Sequence, residues 1–317
     1  MSPVWPDLSV VVVTHNDQRL ALSTLRCARA CTGPLRTQWL VVDSGSTDGT
    51  PDAIEREWSD VRVLRLTNVG FAAGNNAALP HAHGRYVLLL NPDVEIAAGT
   101  LHELVAALDG RPEVGAASVV QQAADGSLQP SIRRFPSPMR QLGEAVFAAH
   151  WPVLRHLQEC ERSPSAYDVE ASAEWLVGAF LMVRREALSE IGPMDERFFL
   201  YSEEKDLCYR LRQAGWDVRH LPLMRVTHHT GRHSRADLAA QLSYAKLLFA
   251  QKHFRRPRSL AVRGALCLGH AIRLALFAPA AVVVPRLRAR TASERAALAV
   301  AVGLAPPPFD GPLRPTT

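Results

Sequence analysis

Acidic residues are missing from a long part of this sequence. Between Leu238 and Ser293, a run of 56 residues, there is no aspartate or glutamate, although ten lysines and arginines occur there. Cysteine is also scarce. The five cysteines (Cys27, Cys31, Cys160, Cys208, Cys267) are odd in number, scattered and never in a Cys-X-X-Cys pair, which excludes a disulfide framework or a zinc ribbon and fits a reducing, cytosolic setting. The N-terminal stretch lacks a basic segment followed by a long apolar core. Its only apolar run, Leu8 to Val13, ends in polar residues, so no secretory signal is expected. The formal charge of +5 comes without any RNA- or DNA-binding signature, so nucleic acid is not an expected partner.

A length of 317 residues with 47% apolar content suffices for one large domain, or one domain and an appendage. The first hundred residues alternate β-rich runs with amphipathic stretches. Residues 8–14, 38–43, 61–66 and 85–91 read as strands, and residues 17–31 as a helix stopped by Gly33 and Pro34. A second helix opens with Thr50 as its cap and Pro51 as its first residue. Continuous Val/Leu runs separated by helices predict a parallel α/β sheet buried on both faces. Ligands bind such sheets beyond the carboxyl ends of the strands, and here those ends carry Thr14-His15-Asn16, Asp43-Ser44, Asn68-Val69-Gly70 and Asn91-Pro92-Asp93. A dinucleotide-binding domain would need a Gly-X-Gly-X-X-Gly turn after the first strand. "THNDQR" stands there instead, so a mononucleotide diphosphate lying across several strand ends fits better.

Asn91 and Asp93 are two residues apart. In an extended segment both side chains point the same way, and these hard oxygen donors suit Mg²⁺ or Mn²⁺ bridging two phosphates. Asn-Pro-Asp also serves as a turn that ends a strand. In "NVGFAAGNNAAL", Gly70 and Gly74 let backbone approach a ligand closely, while Asn68, Asn75 and Asn76 supply amides at a helix entry. The middle of the chain is less regular. Two strands are expected around an Asp125-Gly126 turn, and beyond them Arg133 and Arg134 are either a solvated pair or contacts for an acceptor's phosphate. A second acidic cluster, Glu203-Glu204-Lys205-Asp206, opens a helix that Gly215 closes. Helix capping accounts for one of its carboxylates more easily than for three.

Taken in order, "SVVVVTHN", "VVDSGSTDGT", "NVGFAAGNNAAL", "LLLNPDVEI" and "WLVGAFLMVRREALSEIGPMDERFFLYSEEKDLCYRLRQAGW" resemble the family 2 glycosyltransferases, in particular the bacterial rhamnosyltransferase-like branch, over about residues 8 to 235. The resemblance implies a GT-A fold, a nucleotide-sugar donor, a divalent metal (Mg²⁺ or Mn²⁺) and inversion at the anomeric carbon. It implies that Asp43 meets the pyrimidine base, with Thr14, Asn16 and Ser44 nearby, and that Asn68, Gly70, Gly74, Asn75 and Asn91 line the donor site. Asn91 and Asp93 match the metal motif, with the metal chiefly on Asp93 and His228 joining it in preference to His229. Glu203 and Glu204 match the family's acidic pair, so Glu204 is the expected base, with Asp206 in reserve. Trp175 and Gly178 match the acceptor-side segment, although a strand tryptophan also suits a core.

The favoured donor is dTDP-L-rhamnose, with a UDP-sugar (galactofuranose or a hexose) as runner-up, and the acceptor a glycan or lipid-linked glycan in cell-surface polysaccharide synthesis. A nucleotidyltransferase would show a Gly-rich, basic triphosphate loop, which "VVVVTHNDQR" lacks. A catalytically dead sugar-binding module would not need both acidic clusters. Expected domains are a catalytic unit over 1–235, a basic and apolar helical appendage over 236–303 and a disordered tail over 304–317. Between Leu260 and Val284, Arg263, His270, Arg273 and Pro279 interrupt the apolar residues. That pattern argues against a clean spanning helix and for either an amphipathic segment on an anionic membrane or a helical appendage packed on the catalytic domain. The expected location is the cytoplasm, peripheral at the inner face of the plasma membrane.

Overall fold

The computed structural model describes residues 5–145, 152–229 and 235–309. Eleven strands occur among them: β1 (Leu8–Thr14), β2 (Thr37–Ser44), β3 (Val61–Leu66), β4 (Tyr86–Leu90), β5 (Val94–Ala98), β6 (Val114–Gln122), β7 (Ile132–Arg133), β8 (Ala171–Ser172), β9 (Trp175–Leu176), β10 (Phe180–Arg184) and β11 (Asp217–His228). The α-helices are α1 (Gln18–Ala30), α2 (Thr50–Glu57), α3 (Phe71–Ala78), α4 (Leu101–Asp109), α5 (Pro138–Ala145), α6 (Arg185–Ile191), α7 (Glu203–Gln213), α8 (Arg235–His253), α9 (Arg256–Val283) and α10 (Arg286–Val302).

The main sheet runs β3-β2-β1-β4-β10-β6-β11-β5. Its first four strands are parallel, and every residue of β1 and β4 is buried. The mainly parallel sheet expected from the sequence is present, and beyond β4 it becomes mixed: β10 joins antiparallel to β4 and β6, and β5 antiparallel to β11. The architecture is a mixed α/β sheet flanked by helices. An apolar run reports burial of both faces but carries no information about strand direction. α2 starts one residue earlier than expected, with Gly49 as its cap at φ +80°. The Asp125-Gly126 turn forms, but its return arm shrinks to a single bridge, Gln122 to Leu128, because Pro130 soon removes an N–H donor from the arm. Gly84, at the entry to β4, permits the close approach to β1. A Cβ there would stand 2.6 Å from the Leu8 carbonyl carbon and 2.7 Å from the Tyr86 oxygen. None of the five cysteines is joined in a disulfide.

Two compact units emerge. One holds Met1–Arg133, Arg162–Arg197 and Glu203–Thr230; the other holds Arg134–Glu161, Phe198–Ser202 and Gly231–Thr317. Besides a cut near 235, two earlier segments therefore group with the C-terminal helices. Within this second unit α10 packs on α8 and α9, and α5 packs on α9. Lys246 is buried between Glu144 (3.1 Å) and Glu159 (3.0 Å), whose charges hold its ammonium above the ordinary lysine range despite burial. Of the expected tail, residues 310–317 lie outside the described residues. Phe309 donates its N–H to Gln241 Oε1 at 3.3 Å.

α9 is unbroken over 28 residues, and by length and composition it is apolar enough to cross a membrane. The residues expected to interrupt it do not break the helix. His270 and Arg273 meet Glu294 of α10 at 2.8 and 3.0 Å, and Arg263 donates to the Ala301 carbonyl at 2.7 Å. The opposite face is exposed and wholly apolar, with Leu260, Leu268 and Leu276 at spacings of eight and Val282 and Val283 at 76% and 82% exposure. Arg256 and Arg258 stand exposed at its start, and Arg286, Arg288 and Arg290 just past its end.

Candidate active site

The carboxyl ends of β1 and β2 are in register, with Thr14 beside Asp43, and both are almost fully buried at 1% and 3% exposure. Asp43 Oδ2 accepts from the Ser46 N–H at 3.0 Å. Its Oδ1 and the Thr14 hydroxyl are buried with no hydrogen-bond partner among the described residues. Asn16 sits in the left-handed region at φ +53°. Its Oδ1 accepts from Thr47 N–H at 2.7 Å, and its own N–H donates to Ser46 Oγ at 2.8 Å. Asn16 thus clasps the loops after β1 and β2 together, and its carbonyl is already engaged. Ser44 Oγ donates to Asn68 Oδ1 at 3.4 Å and accepts from the Val69 N–H at 3.3 Å, holding the third strand end beside the second.

The Gly/Asn loop divides by role. Gly70 caps α3 at φ +84°, where a side chain would be strained. Gly74 faces the sheet. A Cβ there would stand 2.8 Å from Val13 Cγ1, so the close approach it permits is that of α3 to β1 and not that of backbone to a ligand. Asn75 donates to the Phe71 carbonyl at 2.9 Å and leaves a buried Oδ1 unpaired. Asn76 is tied to the Met194 backbone through both its amide atoms.

After β4 the chain turns at once. The Asn91 N–H donates to Ala179 O at 2.9 Å, Thr24 Oγ1 donates to Pro92 O at 2.8 Å, and the His229 N–H donates to Asp93 O at 2.8 Å. The expected extended alternation is therefore replaced by a pinned turn. It still leaves Asn91 Oδ1 and Asp93 Oδ1 buried without a hydrogen bond among the described residues. His228 Nε2 lies 3.4 Å from Asp93 Oδ1, because His228 pairs with Val94 across β11 and β5. Gln129 fixes the His228 ring, with Oε1 3.1 Å from Nδ1 and its Nε2 donating to the His228 carbonyl at 2.9 Å. His229 meets Glu95 instead, at 3.3 Å. Among the described residues no three His, Cys, Asp or Glu side chains cluster to enclose a metal. The donors present are a carboxylate, an amide oxygen and an imidazole. They fit a hard divalent cation that keeps several positions for water and phosphate. Gln129 is a residue that sequence reading misses. It lies 99 positions from the histidine it orients, in a segment without periodicity.

The three acids of α7 separate. Asp206 is fully buried and accepts from Arg210 Nε at 2.9 Å; the same guanidinium donates to the carbonyls of Ile191 and Pro193 at 2.7 and 2.8 Å. This latch anchors α7 to the loop after α6. Glu203 and Glu204 each keep one buried oxygen without a hydrogen-bond partner among the described residues. Burial, followed by the charge of Glu204, pushes the Glu203 carboxyl well above the usual range. Burial also raises Glu204, opposed by the positive charges of Lys205 and Arg133. Tyr201 and Ser202, immediately before the helix, both adopt φ +70°, a conformation costly for non-glycine residues. Gly178 lies against Glu204: a Cβ there would stand 3.1 Å from Glu204 Cβ and 3.2 Å from Cγ. Trp175 is buried, with Lys205 Nζ 4.8 Å and the Arg133 guanidinium 5.9 Å from its ring. Arg134 is paired with Glu161 at 2.9 Å.

Buried oxygens without hydrogen bonds at successive strand ends, together with a desolvated pair of glutamates, can accept the polar groups of a bound ligand and take up a proton. The chain is 35% identical over 252 residues to N-acetylglucosaminyl-diphospho-decaprenol L-rhamnosyltransferase of Mycobacterium tuberculosis, covering 72% of this chain and 80% of that protein. Its fold resembles a mannosyltransferase of Pyrobaculum calidifontis solved with GDP-Man and Mn²⁺ (TM-score 0.57, 19% identity, 95% of this chain and 90% of that one). It also resembles GalNAc-T7 solved with UDP, GalNAc and Mn²⁺ (TM-score 0.56, 15% identity, 76% of this chain and 47% of that one). The family model for glycosyl transferase family 2 matches residues 9–192, more than half of the chain, and the chain belongs to that family.

Proposed function

We propose that this chain is an inverting glycosyltransferase that moves L-rhamnose from dTDP-rhamnose to a hydroxyl of a lipid-linked glycan at the cytoplasmic membrane face. The observation that carries the reading is the row of unpaired buried oxygens on Thr14, Asp43, Asn91 and Asp93, which ends within one unit that also presents Glu204. Asp43 has one oxygen free, since Ser46 holds the other. That single acceptor suits the one N3–H of thymine or uracil. Asp93 and His228, with Asn91, would hold the Mg²⁺ or Mn²⁺ whose charge offsets that of the leaving diphosphate. Glu204 takes the proton of the accepting hydroxyl as its oxygen attacks the anomeric carbon from the face opposite the diphosphate. Burial and the neighbouring charge of Glu204 favour the protonated form of Glu203, which leaves Glu204 as the base. Asp206 is set aside from this role by its ion pair with Arg210. The acceptor class and the sugar are supported by the likeness to the M. tuberculosis enzyme, and a pyrimidine base by the one free oxygen of Asp43.

The membrane reading rests on α9, whose exposed apolar face is flanked by arginines at both ends. Each Lys or Arg near an anionic surface contributes about 1 kcal/mol. Such a helix lies in the interface with its polar side turned to protein.

Five outcomes check these assignments. Activity should require Mg²⁺ or Mn²⁺ and fall by orders of magnitude in Asp93→Ala with unchanged circular dichroism, whereas full turnover in excess EDTA would remove the metal. Glu204→Gln should keep donor binding and lose transfer by roughly 10²-fold or more. The acid limb of wild-type kcat/KM should lie above the ~4.3 of an ordinary glutamate, because the base must ionise and its pKa is raised. The sign for stability is opposite: a raised folded-state pKa gives stability present at low pH and lost as pH rises through it. Glu203→Gln should therefore melt progressively higher than wild type as pH increases, and a gain confined to acidic pH would contradict the burial of Glu203. Finally, the protein should float with anionic liposomes at low salt, less so when Leu268 and Leu276 become Glu; unaltered flotation of that variant would exclude the α9 face.

A further inference from the structure

The five residues that lead into α7 are held by α8. Phe198–Ser202 group with the unit that contains the C-terminal helices, while Glu203 and Glu204, next along the chain, belong to the other unit. Two side chains of α8 reach this segment. Gln241, only 1% exposed, donates from Nε2 to the Leu200 carbonyl at 3.1 Å, and Lys252 Nζ stands 5.8 Å from the ring of the buried Phe198. Positions 241 and 252 are about three helical turns apart, so both lie on one face of α8. The other end of the Gln241 amide is engaged as well: Oε1 accepts from the Phe309 N–H at 3.3 Å, which leaves Nε2 as the donor to Leu200.

The Leu200 carbonyl belongs to the peptide plane from which the φ of Tyr201 is measured, so a grip on that oxygen fixes the rotation. Tyr201 and Ser202 both stand at φ +70°. Non-glycine residues keep that conformation only where their surroundings impose it, and two in succession set the direction in which the next helix leaves. Glu204 is the second residue of that helix. The Asp206–Arg210 pair ties α7 to the 191–193 backbone, but it acts from beyond Glu204 in the chain and leaves the entry to the helix to the turn. We infer that Gln241 is a positioning residue for sugar transfer: by holding the Leu200 carbonyl it keeps Tyr201 and Ser202 left-handed, and that turn keeps Glu204 in its place against Gly178. α8 thereby acts on the base through the chain itself. This rests on the reading of Glu204 as the base of a glycosyltransferase.

The test compares wild type with Gln241→Met, which keeps the length of the side chain and removes both its hydrogen bonds, and with Gln241→Met combined with Ser202→Gly. Glycine adopts φ +70° without strain, so it should restore the turn that Gln241 no longer holds, whereas at an ordinary position it would only loosen the chain further. Amide hydrogen exchange over residues 203–210 should quicken at least tenfold in Gln241→Met and slow again in the double variant. With dTDP-rhamnose as donor and N-acetylglucosamine joined to farnesol through a diphosphate as acceptor, kcat should fall at least tenfold and recover with the glycine. Affinity for dTDP should stay within twofold of wild type throughout, because the strand ends are untouched. The acid limb of kcat/KM should move down in Gln241→Met towards that of an ordinary glutamate, since burial is what raises Glu204, and return in the double variant. Unchanged exchange over 203–210 would overturn the proposal, as would a loss of transfer that leaves the acid limb in place or that the glycine does not restore. If Gln241→Met does not fold, Gln241→Asn, with the same amide on an arm one methylene shorter, is judged by the same outcomes. A wild type that transfers no sugar would count against the glycosyltransferase reading, and the exchange measurement would still decide whether Gln241 holds the turn.

Discussion

A buried oxygen left without a hydrogen bond costs about 1–3 kcal/mol, and this fold accepts that cost repeatedly at one edge of its sheet. Thr14, Asp43, Asn91 and Asp93 each carry such an oxygen at or just past the carboxyl end of β1, β2 or β4. The core residues of those strands fix the spacing, since β1 and β4 are buried throughout and paired in register. Strand ends in a parallel arrangement cannot pair with one another as they diverge into loops, so the unpaired groups are available to a ligand. The surrounding bonds make the edge rigid: Asn16 to Thr47, Thr24 to Pro92 and Gln129 to His228 spend side chains on holding the loops.

The acids of α7 divide in the same way. Asp206 is satisfied by Arg210, and together they hold α7 to the 191–193 backbone. Glu203 and Glu204, one turn earlier, lack comparable partners and are raised by burial. A helix start would ordinarily stabilise ionised carboxylates. Here burial is the largest influence on both carboxyls and pushes them up. Gly178 leaves room for the Glu204 side chain, where even a methyl group would crowd it.

Much of this was legible in the residues. The Val/Leu runs of β1, β2 and β4 mark strands with buried apolar residues, and the polar residues that follow those runs are where the unpaired buried oxygens stand. Less legible was whatever depends on partners distant in sequence. Strand direction at β10 is set by packing against β4 and β6, and nothing in "FLMVR" encodes it. Gly74 resembled a ligand-facing glycine because a glycine pressed against Val13 and one pressed against a phosphate look alike in sequence. The Asp206–Arg210 pair was visible as an i, i+4 spacing, but its burial was not. Likewise, the arginine and histidine within α9 looked like interruptions until Glu294 of α10 was seen to receive them.

The central claim is that these strand ends receive a pyrimidine nucleoside diphosphate, read by the single free oxygen of Asp43. Guanine presents two parallel N–H donors and would leave one of them unmatched there. The most direct measurement is the shift in melting temperature produced by dTDP, UDP and GDP, each with Mn²⁺, on wild type and on Asp43→Ala. Stabilisation of wild type by dTDP and UDP but not by GDP, with the shift largely lost in Asp43→Ala, is the predicted result. Preferential stabilisation by GDP, or a dTDP shift that is undiminished in Asp43→Ala, would contradict the account.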